Sequence, residues 1–84
     1  IQTHAMLMTW TGTDASLPPV ILMAHQDVVP VNPGTDEDWT HGPFGGVVAD
    51  GYIWGRGAMD DKGSLIAILE AGEALARSGW TPKR

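Results

Sequence analysis

No cysteine occurs anywhere in the 84 residues. That excludes a disulfide framework and any metal site built on thiolates. Basic residues are scarce, five against ten acidic ones, for a net charge of −5. Arg56 and Lys62 flank one acidic bend, and Arg77, Lys83 and Arg84 lie at the end. No basic face can form from them, so no nucleic-acid partner is expected. No apolar run reaches the length of a membrane span, and no signal segment, repeat or low-complexity tract is visible. The chain starts at Ile1 without a Met, so its natural start is expected upstream, and the compartment stays open.

What is present is a globular composition, 43% hydrophobic, with four Trp to fill a core or line a pocket. The length suits one small domain with little stability to spare. Residues 5–11 alternate, with Met6, Met8 and Trp10 on one side and Leu7 and Thr9 on the other, which predicts a strand. Residues 20–24 form a continuous apolar run, the signature of a strand buried on both faces and hence of an α/β architecture. Residues 30–43 read as an irregular loop carrying Asp36-Glu37-Asp38 and Trp39. Two β-rich runs joined by Asp50-Gly51 predict a hairpin. From about Asp61 to Ser78 the period becomes helical, with Leu65, Ile68, Leu69, Gly72, Leu75 and Ala76 on one face. Glu73 and Arg77 form an i,i+4 pair, and Gly79 and Pro82 mark the stop.

Two places carry chemistry. At the end of the 20–24 run stands His25-Gln26-Asp27, whose imidazole and carboxylate point the same way on extended backbone. The pair suits two metal ligands, or one ligand and its support, or a structural His bonded to its neighbour. Asp60 and Asp61 follow a glycine-rich bend and precede the helix. They suit metal coordination, and equally a helix N-cap.

Three segments in order narrow these options. They are Met23-Ala24-His25-Gln26-Asp27-Val28-Val29-Pro30-Val31, then Asp38-Trp39-Thr40-His41-Gly42-Pro43-Phe44, then Asp50-Gly51-Tyr52-Ile53-Trp54-Gly55-Arg56-Gly57-Ala58-Met59-Asp60-Asp61-Lys62-Gly63. Together they resemble the two-zinc exopeptidase and amidohydrolase family of aminoacylase-1, carboxypeptidase S and glutamate carboxypeptidase, most of all its carboxypeptidase S branch. The resemblance runs from about Ala5 to the end. It implies a mixed sheet flanked by helices, as part of a zinc-exopeptidase-like catalytic domain. It implies that His25 is a metal ligand, that Asp60 bridges two ions, and that Asp27 is the catalytic-site carboxylate that orients His25. It implies a cis peptide after Asp60, and no ligand role for Asp61. The implied cofactors are two divalent ions, zinc first, with cobalt or manganese accepted by the same donors.

The implied reaction is hydrolysis of an amide or peptide bond next to an amino acid, on a peptide or N-acyl amino acid substrate. The family's general base, the first Glu of a Glu-Glu pair, is not matched by the separated Glu70 and Glu73. Residues 1–84 are therefore expected to be the N-terminal segment of the catalytic domain, cut at both ends and inactive alone. The inserted second domain of such enzymes makes a homodimer one implied form of the parent. His41 reads as a loop or pocket-edge His and His4 as exposed. Trp39 is expected in packing or near the mouth of the site. Two rivals remain: a non-catalytic homologue that binds a ligand or partner, and an acidic binding domain without metal.

Overall fold

The hairpin forms where Asp50-Gly51 is placed. In the computed structural model, which describes residues 4–84, strands β1 (Val47–Ala49) and β2 (Tyr52–Trp54) pair antiparallel, with Val47 opposite Trp54 and Ala49 opposite Tyr52. Asp50 and Gly51 both have positive φ, 53° and 80°. This is the backbone of a two-residue turn whose twist matches that of the flanking strands. The Trp54 indole N–H donates to the Ala49 carbonyl at 3.0 Å, fastening the hairpin from its half-buried face. Val48 and Ile53, on the other face, are exposed.

Helix α1 (Lys62–Arg77) ends as the sequence predicts. Gly79 takes φ 75°, its N–H donates to the Ala76 carbonyl, and the Trp80 N–H donates to the Leu75 carbonyl. Those two bonds satisfy carbonyls that the last turn would otherwise leave bare. Leu65, Ile68 and Gly72 form the half-buried stripe of α1, and Glu73 pairs with Arg77 on the solvent side. No helix among the described residues is long and apolar enough to cross a membrane.

Past the helix the chain turns back to the Gly12 region. Pro82 and Lys83 carbonyls accept from the Thr13 and Asp14 N–H groups at 3.0 and 2.8 Å, and Trp80 meets Trp10 edge-to-face at 5.6 Å. Only a glycine fits at position 12, because a Cβ there would stand 2.5 Å from the Lys83 carbonyl oxygen. Pro82, in this clasp, is the one buried residue among those described.

The expected strands over residues 5–11 and 20–24 are not formed. Neither segment makes a backbone hydrogen bond to another described residue. A strand exists only with a ladder partner, and no described segment offers one. Ile21 and Met23 consequently stand 73% and 82% exposed. Among the described residues one antiparallel hairpin and one α-helix form, not a whole mixed sheet, which is consistent with part of an α/β domain. No hydrophobic side chain among the described residues is buried. The accessible surface is 7292 Å² at 9.0 kDa, against about 4,900 Å² for a folded monomer of that mass. The radius of gyration is 17.5 Å, against about 12 Å for a compact domain of this length. A gap of about 460 Å³ separates the hairpin from α1, lined by Val28, Phe44, Ile53, Trp54 and Ile66.

Candidate metal centre

Local chemistry fixes the His25 ring. Its Nδ1 lies 3.1 Å from the backbone carbonyl of Asp27. A carbonyl oxygen only accepts, so Nδ1 carries the proton and the lone pair of the neutral ring sits on Nε2. The Asp27 carboxylate lies slightly farther from Nδ1, at 3.4 Å. Of the two Asp27 groups near the ring, the main-chain carbonyl makes the shorter contact.

Nε2 faces Asp60. The separation from Asp60 Oδ1 is 3.3 Å. The bend that delivers Asp60 is built from backbone bonds. The Arg56 N–H donates to the Pro43 carbonyl at 2.6 Å, Ala58 to Gly55 at 3.2 Å, and Lys62 to Gly57 at 2.9 Å. Gly55 and Gly57 hold positive φ, 144° and 80°, which a side chain would oppose. The Asp60–Asp61 peptide is cis, as the resemblance implies. Asp61, not Asp60, stands at the helix N-cap, and its carboxylate makes no capping bond.

The imidazole nitrogen and the carboxylate oxygen stand 3.3 Å apart. A cation beside them, a proton or a metal ion, would attract both. The donor set fits a metal. Two N/O ligands on one tetrahedral zinc, each about 2.0–2.2 Å from it, stand about 3.3–3.5 Å apart. Among the described residues no group of three or more His, Asp or Glu side chains surrounds one point, so this pair does not enclose an ion by itself.

Without metal the proton takes the role. The hydrogen bond to the Asp27 carbonyl raises the His25 pKa above 6.5; desolvation opposes this, and the Asp27 and Asp60 charges add to it. The sign follows from linkage. A raised folded-state pKa gives stability that is complete below the unfolded value, near 6.5, and is lost as pH rises through the folded one. Asp27→Asn removes the charge but keeps the carbonyl. Its His25 ring-proton NMR titration is therefore expected to shift down and stay above the ordinary midpoint. A midpoint at or below that of an unfolded peptide would assign the shift to the carboxylate instead.

The other titratable groups stand apart. His41 packs edge-on against Trp54, with centroids 4.9 Å apart, and its Nε2 is 3.9 Å from Asp50 Oδ2. It belongs to the hairpin, as a loop His. His4 is exposed, and with His25, Asp27 and Leu65 it lines a cavity of about 400 Å³. Asp36–Asp38 forms a single exposed 3₁₀ turn. A second cavity, of about 190 Å³, is lined by Val28, Trp39, Arg56, Gly57 and Asp60, which puts Trp39 beside the site. The Arg56 guanidinium lies 5.1 Å from the Trp39 ring centre. The motif alone gives Arg56 no role, because this partnership depends on a long loop whose course no local pattern records.

The sequence profile described as peptidase family M20/M25/M40 matches residues 21–84. Probable carboxypeptidase S-like 2 of Dictyostelium discoideum is 49% identical over the whole chain, which spans 16% of that protein. Carboxypeptidase S of Saccharomyces cerevisiae is 48% identical over 94% of the chain and 14% of its own length. N-fatty-acyl-amino acid synthase/hydrolase PM20D1 of Homo sapiens is 44% identical over the whole chain and 16% of its own length. No solved structure matches. The chain thus spans about a sixth of the curated relatives it matches. On a profile match across most of its residues and these identities, the chain belongs to peptidase family M20/M25/M40, in its carboxypeptidase S branch.

Proposed function

We propose that the protein containing these residues is a metal-dependent hydrolase that cleaves an amide bond adjacent to an amino acid, as a carboxypeptidase or an N-acyl-amino-acid hydrolase. One observation carries the reading: His25 Nε2 faces Asp60 Oδ1 at 3.3 Å while Nδ1 is tied to Asp27. Family membership and the printed names of the relatives support it. His25 would hold a divalent ion through Nε2, in its neutral form. Asp27 holds the ring so that this nitrogen stays turned toward Asp60. Asp60 would hold the ions together with His25, and its negative charge would offset their positive charge. When bound, such ions, zinc first, supply Lewis acidity to the scissile carbonyl and to a water molecule.

Residues 1–84 are, in this reading, the N-terminal segment of the catalytic domain. Residues 5–11 and 20–24 become strands of its mixed sheet by pairing with chain outside the segment. The general base and the remaining ligands also come from outside it, and a homodimer fits the second domain of the resembling enzymes.

The test uses the whole protein. Elemental analysis should find about two zinc per chain. Hydrolysis of N-acyl amino acids or blocked dipeptides should fall below about 1% of its starting rate on chelation and return with added zinc. A protein that binds no divalent ion sinks the metal centre. One that binds two ions but hydrolyses neither substrate class is a binding homologue instead.

A further inference from the structure

We propose that Arg56 is a positioning residue, which with Trp39 fixes where Asp60 stands relative to His25; this rests on the metal-centre reading above. Arg56 is half-buried, and its Nε is enclosed without a hydrogen-bond partner. It makes no ion pair among the described residues. Its Nε edge, kept from water without an acceptor, needs another compensation. Here the Trp39 ring supplies it, 5.1 Å from the guanidinium carbon, by cation–π attraction.

The same residue also donates its backbone N–H to the Pro43 carbonyl at 2.6 Å. Arg56 therefore ties the bend to the preceding loop twice, through its main chain at Pro43 and its side chain at Trp39. Trp39 closes the 3₁₀ turn Asp36–Asp38. Trp39, Arg56 and Asp60 line one cavity of about 190 Å³, with Val28 on its wall. Movement of the guanidinium off the ring lets the bend slide toward that space, and Asp60 travels with it.

The readout is the zinc dissociation constant of the whole protein, from competition with a chromophoric chelator well below the unfolding temperature. Arg56→Ala and Trp39→Ala should each weaken binding about 10–100-fold, the range for groups that orient a ligand from behind. Arg56→Lys keeps the charge but loses the flat fork, so it should recover only part of the affinity. Trp39→Phe keeps a face for the cation and should recover most of it. The double alanine variant should be no weaker than the worse single one, since both remove one contact. KM for the hydrolysed substrate, measured at saturating zinc, should not move.

Changes in affinity below about threefold, additive losses in the double variant, or a loss of thermal stability alone each overturn the proposal. Should Arg56→Ala not fold, the graded affinities of Arg56→Lys and Trp39→Phe decide the matter: wild-type affinity in both overturns the positioning role, and the graded loss supports it. Asp60→Ala separates this inference from the one beneath it. If that variant binds zinc like the wild type, the metal-centre reading fails and this proposal with it. If Asp60→Ala loses zinc and Arg56→Ala does not, only the positioning role fails.

Discussion

Asp60→Ala in the whole protein is expected to lower kcat/KM at least about a thousandfold, roughly 4 kcal/mol of transition-state stabilisation, and to strip the protein of most of its metal. The size follows from charge. His25 is a neutral donor once its proton has left, so Asp60 is the anionic member of the pair seen at 3.3 Å. Two cations held about 3.5–4 Å apart repel strongly unless an anion lies between them. Asp60→Asn keeps the shape and removes the charge, so it should lose nearly as much. That comparison separates charge from packing. The His25 titration provides a control in the metal-free protein. Its largest upward influence is the Asp27 carbonyl, so in Asp60→Ala the midpoint should fall without returning fully to 6.5. Retention of both zinc and turnover in Asp60→Ala would remove the bridging role altogether.

How much of the fold is legible in the chain depends on sequence distance. The hairpin and helix stop are legible because their causes are local. Asp50-Gly51 tolerates positive φ at both turn positions, and Gly79 ends α1 by the two bonds its φ of 75° permits. The runs at 5–11 and 20–24 have strand composition, but pairing is a non-local event and no described segment meets them. Their periodicity describes what each could do beside a partner.

In the site, spacing alone leaves His25 and Asp60 with structural alternatives. The ordered motifs associate the two residues, and the contact at 3.3 Å brings them together in space. Asp27 shows what a motif misses. Residue identity points to the carboxylate, whereas the main-chain carbonyl, which any residue has, makes the closer contact with Nδ1. The Trp39–Arg56 stack is illegible for a related reason: it needs the loop to fold over the bend.

Gly57→Ala is expected to be strongly damaging, costing about 2–5 kcal/mol. Two effects add. Gly57 has φ 80°, and a residue with a Cβ resists that region by about 1–2 kcal/mol. The new methyl would also stand 2.6 Å from both Lys62 Nζ and Val28 Cγ1. The lysine end can swing away cheaply. Val28 cannot, since a β-branched side chain has few rotamers and this one is half-buried. Overpacking of this kind costs about 1–3 kcal/mol. Val28 follows Asp27 and Gly57 precedes Asp60 in the same bend, so pushing Val28 and Gly57 apart should also widen the gap between His25 and Asp60. Gly57→Ala should thus lower the urea midpoint of the whole protein and weaken zinc binding together. Val28→Ala added to Gly57→Ala should restore part of the affinity by making room, and Lys62→Ala should not. Rescue by Lys62→Ala would make the lysine the rigid neighbour, and an unchanged midpoint and affinity in Gly57→Ala would show that the bend does not depend on a bare backbone there.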